Sequence, residues 1–212
     1  ANGNYGLNVP ILNIMNYEYA QNISEKTRDA KKARAKHGMF LGSKAPYGYI
    51  RDPQDRHHLL VDEEAAGIVR QIFAMAEDGA GYNKIAKTMQ NEGILNPISY
   101  FIEKNPDYFT NGYYLHESKW HVTSVKAILT NPVYLGNTVN GRRTSKTMKG
   151  KSEKAPEENW IVAENTHEAL TTPAQWENVQ KQIAVRSRAC KDGKPQMFVG
   201  LLYCADCGSA LS

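Results

Sequence analysis

Cys204 and Cys207, spaced as C-x-x-C in Tyr203-Cys204-Ala205-Asp206-Cys207-Gly208, are the residues whose types and spacing speak most directly of chemistry. Two thiolates at this spacing grip one face of a tetrahedral Zn²⁺, and the apolar lead-in Phe198-Val199-Gly200-Leu201-Leu202 suits the first strand of a zinc ribbon. A closed site needs four ligands, and only Gly-Ser-Ala-Leu-Ser follows Cys207. The second pair is therefore expected beyond Ser212. By this reading the sequence is a piece of a longer protein, with zinc bound in the full-length protein and absent from the piece. Cys190 stands alone in a polar linker and reads as a bystander. His57-His58, in a polar turn with Asp52 and Asp55, is a weaker metal candidate, and His116, His121 and His167 lack metal spacing. No Gly-rich phosphate loop, paired-carboxylate motif or nucleophile elbow is legible, so no catalytic residue is assigned.

A second chemistry, the neutralisation of phosphates, is suggested by two cationic runs. From Glu25 to His37 six basic residues (Lys26, Arg28, Lys31, Lys32, Arg34, Lys36) face two acids, Glu25 and Asp29. From Gly141 to Lys154 six more (Arg142, Arg143, Lys146, Lys149, Lys151, Lys154) face only Glu153. The formal net charge is only +4, so clustering rather than total charge marks the polyanion surface. Either run alone would also suit a solvated charged face; two separated runs favour nucleic acid.

The elements that must position these groups follow from periodicity and punctuation. Residues 11–37 read as one helix, apolar in its first half (Ile11, Leu12, Ile14, Met15, Tyr17, Tyr19, Ile23) and basic in its second, stopped by Gly38. Its apolar half needs cover from another domain or a second subunit. Residues 38–51, with two glycines, a proline and Tyr47-Gly48-Tyr49, read as an extended arm. Small residues beside Lys44 and Arg51 suit a strand in a DNA minor groove, while Tyr47 and Tyr49 also suit packing on the domain behind; the two are compatible.

Helices are expected at 62–78, 82–92 and 120–130, with a long loop over 94–118. A strand at 133–139 returns at 160–163 as a hairpin, with the second basic run as a loop between them. Thr172 and Pro173 then form the N-cap and first residue of a helix to about Arg188. The three central helices fit a helix-turn-helix-like unit with the last as recognition helix. Lys119, His121, Thr123, Ser124 and Lys126 would face outward, and a purely structural bundle is the alternative. The fold class is thus α+β and mainly helical: a long N-terminal helix, a helix-turn-helix-like three-helix unit, a small β-hairpin, a C-terminal helix and the start of a zinc β-ribbon.

With 41% apolar and 23% charged residues the composition is that of a soluble globular protein. No apolar run approaches the roughly 18 residues of a membrane span, so no membrane partner is expected. Three cysteines do not make a disulfide framework, which favours a reducing, cytoplasmic setting.

Taken in order, these features resemble the DNA-binding half of large serine recombinases, the transposon and phage integrases related to resolvases and invertases. The matching stretches are Ile23-Ser24-Glu25-Lys26-Thr27-Arg28 within Glu18 to Gly48, then Gly38 to Gly42 before Ala45-Pro46-Tyr47-Gly48-Tyr49. Ile85-Ala86 to Gly93-Ile94, Trp120 with Val125 to Leu129, and Asn131-Pro132-Val133-Tyr134-Leu135-Gly136 continue the pattern. His167-Glu168-Ala169-Leu170 and the Leu201 to Gly208 zinc lead-in complete it. The resemblance implies a bacterial, phage or mobile-element protein that recombines DNA through a phosphoserine intermediate. The catalytic domain would lie outside this sequence, leaving the piece itself inactive.

It also implies binding to a double-stranded attachment site and self-association of the parent protein on DNA. The basic end of the helix (Arg28, Lys31, Lys32, Arg34, Lys36) and the arm (Lys44, Tyr47, Arg51) would follow the minor groove. The 62–170 domain would read the adjacent major groove and the zinc ribbon a more distant part of the attachment site, with Arg142, Arg143 and Lys146 among the DNA-binding residues. Expected segments are 1–38, the last helix of a catalytic domain; 39–56, the arm; 57–190, the recombinase domain; and 197–212, the truncated ribbon. The competing expectation is a helix-turn-helix and zinc-ribbon transcription regulator without enzymatic activity.

Overall fold

A computed structural model describes residues 8–106, 119–145 and 150–186, and these form a mixed α/β, mostly helical arrangement. The helices are α1 (Asn8–Lys36), α2 (Glu63–Glu77), α3 (Tyr82–Asn91), α4 (Pro97–Lys104), α5 (Val122–Leu129) and α6 (Pro173–Arg186). The strands are short: β1 (Tyr49–Arg51), β2 (Leu59–Val61), β3 (Thr138–Asn140), β4 (Arg143–Thr144), β5 (Glu153–Lys154) and β6 (Ile161–Ala163). They pair as β1 with β2, β3 with β6 and β4 with β5. Among the described residues no helix is long and apolar enough to cross a membrane.

Packing separates two compact units. Described residues within 1–45, 51–60 and 136–168 belong to the first, and those within 46–50, 61–135 and 169–186 to the second. In the first unit the C-terminal part of α1 lies against the β3–β6 hairpin, whose antiparallel register sets Thr138 opposite Ala163 and Asn140 opposite Ile161. Ala35, only 2% exposed, is the contact residue of the basic stretch of α1. Gly38 leaves the helix at φ +74, where an added Cβ would stand 2.6 Å from the Thr166 methyl. Asn140 Nδ2 then donates to the Met39 carbonyl at 3.1 Å, pinning the chain as it leaves the helix. The N-terminal apolar residues of α1 stay exposed, from Ile23 at 47% to Tyr19 at 69%.

The second unit holds the larger core. α2, α3 and α5 pack on one another and α6 packs on α2. Val69, Ile72 and Phe73 of α2, Ile85 and Met89 of α3, and Val125, Ile128 and Leu129 of α5 are fully or almost fully buried. Each side chain of this size contributes roughly 1.5–3 kcal/mol on burial. An aromatic line runs through it: Tyr49 stacks on Tyr134 at 6.0 Å, Tyr134 meets Phe73 at 5.8 Å, and Phe73 meets Trp176 of α6 at 6.0 Å. Thr172 Oγ accepts from Gln175 N at 3.2 Å, the cap expected at the start of α6.

Three segments differ from the expectations. Residues 94–118 are not all loop, because Asn96-Pro97 starts α4, with Asn96 Oδ1 accepting from Ile98 N and Ser99 N. Asn at the cap and Pro at the first helical position form a start signal that the polar composition of the segment masks. The expected strand over 133–139 is instead a tight helical turn, Pro132–Leu135, followed by β3. Val133 and Tyr134 are both buried from this turn, whereas an extended backbone would send adjacent side chains to opposite faces. The second cationic run is not a bare loop, since β4 pairs with β5 across it, Arg143 opposite Lys154.

Candidate nucleic-acid interface

α5 carries the first group of candidate residues. Its starting point is fixed from outside the helix: Trp120 N donates to Gln90 Oε1 at 2.9 Å and Trp120 Nε1 to the Ile94 carbonyl at 2.8 Å. Trp120, 6% exposed, is thus an anchor ahead of the helix rather than its first residue, and His121 is the N-cap. Val125, Ile128 and Leu129 seal one face, while Thr123 and Lys126 on the other face and His121 at the N-cap are exposed, with Ser124 half-buried. Lys119 is exposed just upstream, and its carbonyl accepts from Asn96 Nδ2 at 3.1 Å. Short polar and cationic groups on the open face of a seated helix can meet base edges and phosphates.

The second group lies in the first unit. Arg28, Lys31, Lys32, Arg34 and Lys36 are all exposed on α1, as is Lys44 after it. Lys31 and Arg34, three apart and so on one helix face, line an open groove of about 400 Å³. Arg51, Arg56 and His57 line the same groove, and Phe40, Leu41 and Gly42 form its apolar wall. That wall is tied down: Phe40 N donates to the His57 carbonyl at 2.8 Å, and His57 Nδ1 lies 3.0 Å from the Phe40 carbonyl. Arg51 donates to the Gly42 carbonyl, and its guanidinium carbon sits 5.7 Å from the Phe40 ring centre. The turn carrying Arg56 is held by Asp52 and Asp55, which accept from Gln54 N at 2.8 Å and His57 N at 2.9 Å.

The third group is on the β4–β5 ribbon. Arg143 is exposed but engaged, donating to Ser152 Oγ at 3.1 Å and the Ser152 carbonyl at 2.7 Å. Arg142 is half-buried, its guanidinium 5.2 Å from the Trp160 ring centre. Burial lowers its proton affinity against a smaller opposing effect of Glu157, yet an arginine stays charged at any physiological pH.

Tyr47 is a correction. It is 9% exposed, its hydroxyl donates to the Leu95 carbonyl at 3.4 Å, and its ring packs edge-on to Tyr100 at 5.4 Å and Trp120 at 6.0 Å. Burial, with Asp62 and Glu64 adding to it, pushes its phenol well above the ordinary tyrosine value. It is a core residue, as the packing alternative for the arm had it, and not a groove contact. Arg56 and His57 line the groove although neither belongs to a cationic run; only the β1–β2 hairpin brings them to α1. Lys146, Cys204 and Cys207 lie outside the described residues.

Comparison with known proteins gives a match of residues 63–186, more than half of the chain, to the family model described as Recombinase. A Bacillus subtilis (strain 168) protein named "Putative DNA recombinase" is 25% identical across 94% of this chain and 39% of its own length. The chain therefore spans about two fifths of that curated relative. Two solved structures share the fold at 17% identity over 87% of this chain. One, described as "Crystal Structure of a LSR-DNA Complex", superposes with a TM-score of 0.52 and is covered over 48% of its length. The other, described as "Sequence Requirements of the Listeria innocua prophage attP site", gives 0.51 with 63% covered.

Proposed function

This chain belongs to the Recombinase family, and from that premise we propose that it is the DNA-binding part of a serine site-specific recombinase. The observation that carries the reading is α5: one face sealed on α2 and α3, the other offering Thr123 and Lys126, with His121 exposed at the N-cap. A helix-turn-helix-like unit of α2, α3 and α5 would set this face in the major groove of an attachment site. The cationic end of α1, with Lys44, would lie along the neighbouring backbone and minor groove. The DNA complex named in the description of one similar structure supports DNA as the partner, and the prophage attP site named in the other fits a phage-type integrase.

The chemistry of strand exchange belongs to the wider protein. A serine outside this chain would attack the phosphodiester, and the phosphoserine ester would conserve the bond energy until religation. Cys204 and Cys207 supply two soft thiolates at the spacing of half a zinc site, so a zinc ribbon completed by later residues fits the donor set. The apolar part of α1 would pair subunits in the assembled recombinase, and a bacterial or mobile-element origin follows from the same reading.

The test is selection of bound duplexes from a randomised library at two salt concentrations. One enriched motif with salt-sensitive affinity is expected. Thr123→Ala or His121→Ala should relax the motif at single positions, each worth about 1–3 kcal/mol of discrimination. Lys126→Gln should weaken all sequences alike. Absence of retention at low salt would overturn the assignment.

A further inference from the structure

We propose that the groove between α1 and the β1–β2 turn is a preformed site for one backbone phosphate of duplex DNA, gripped by Lys31, Arg34 and Arg56. The inference rests on the DNA-binding reading above and adds to it a site that neither cationic run discloses. Arg56 comes from the 52–58 turn, more than twenty positions beyond Arg34, and reaches the groove only through the folded hairpin.

Three features point to an anion of this kind. Every charged side chain lining the groove is cationic, so Lys31, Arg34, Arg51 and Arg56 repel one another until an anion enters. The wall is already rigid: Phe40 and His57 are joined by two hydrogen bonds, and Arg51 clamps Gly42 while covering Phe40. A wall ordered beforehand removes much of the conformational cost of binding. Phe40 and Leu41 give one side an apolar surface that suits the sugar on either side of a phosphodiester, and about 400 Å³ admits that group without a base pair.

The same contacts divide the work among the cations. Arg51 gives one guanidinium nitrogen to the Gly42 carbonyl and lies over the Phe40 ring, so it shapes the wall, while its buried Nε bonds no described residue. His57 Nδ1 lies 3.0 Å from the Phe40 carbonyl oxygen, so this nitrogen is committed to the wall. Lys31, Arg34 and Arg56, all exposed, are left to meet the ligand.

The experiment measures affinity of this chain for one mixed-sequence duplex across a salt series, for the unaltered chain, Arg56→Gln, Lys31→Gln and Lys181→Gln. Lys181 is exposed on α6 beside Glu177 and serves as control. Weakening of this one phosphate contact should make the slope of log K against log salt shallower for Arg56→Gln and for Lys31→Gln, by at most about 0.9 each. The change should be equal on an unrelated duplex, and Lys181→Gln should keep the original slope. Thermal unfolding of Arg56→Gln should match the unaltered chain, since its side chain is exposed. An unchanged slope for Arg56→Gln, with the α5 variants still weakening binding, would overturn the phosphate site and leave the DNA-binding assignment standing. No salt-sensitive binding by the unaltered chain would overturn both.

Discussion

Asn96 joins two elements with one side chain. Its Oδ1 caps α4 through Ile98 N at 3.0 Å and Ser99 N at 2.9 Å, while its Nδ2 donates to the Lys119 carbonyl at the approach to α5. At 8% exposure it has little access to water as a substitute partner. Asn96→Ala removes both functions, and unfolding free energy should fall by roughly 2–3 kcal/mol, the sum of a lost cap and an orphaned carbonyl. The check is a urea titration, with a lower midpoint at unchanged slope. Asn96→Asp keeps the cap acceptor but turns a carboxylate oxygen toward the Lys119 carbonyl, so it should recover less than half of the loss. Tyr100, on the helix this cap begins, shows the same economy: its hydroxyl donates to Asp62 Oδ2 at 2.8 Å. Burial foremost, then Asp62, raises its proton affinity far above the usual phenol, so it remains a donor across the working pH range.

At the scale of elements, two glycines test how the second unit is put together. Gly48 turns the chain at φ +93 between Tyr47 and Tyr49, and an added Cβ would stand 2.9 Å from Leu170 Cδ1 and 3.1 Å from Val69 Cγ2. Gly48→Ala therefore meets both backbone strain and overpacking, and should cost about 2–4 kcal/mol. Gly67, exposed in the interior of α2, has nothing within 4 Å of a built Cβ. Gly67→Ala should stabilise the protein by about 0.5–1 kcal/mol, because alanine loses less backbone entropy in a helix. Paired calorimetric melts check both signs; a stabilising Gly48→Ala would mean that the tyrosine turn does not pack against α2 as described. The α2–α6 contact has its own polar lock, Glu77 accepting from Gln175 Nε2 at 3.0 Å and from Asn178 Nδ2 at 3.2 Å.

For the molecule as a whole, the unusual surface is the N-terminal half of α1. Ile14 and Met15 are 63% and 62% exposed on one long helix with other apolar residues around them. A contiguous apolar surface of this extent in water marks an interaction site. The chain should therefore self-associate as its concentration rises. Ile14→Glu combined with Met15→Glu should shift sedimentation toward the monomer without lowering the melting temperature, because neither side chain is part of a core. A monomer at every concentration would count against self-pairing through this helix.

What the sequence by itself determined is local. The spans of α2, α3 and α6 agree with their apolar periodicity to within a residue or two, Thr172 caps where it was expected to, and the cationic residues of α1 are exposed. Helices are read this way because their hydrogen bonds and facing side chains lie within four residues. α4 carried a legible signal in Asn96-Pro97, hidden by the polar chain after it. Only the tertiary structure decided that Tyr47 is core, that Tyr134 enters the interior from a tight turn, and that Arg56 joins Lys31 and Arg34 at one groove. Each of these depends on partners more than twenty residues away, whose approach is set by packing that no local pattern encodes.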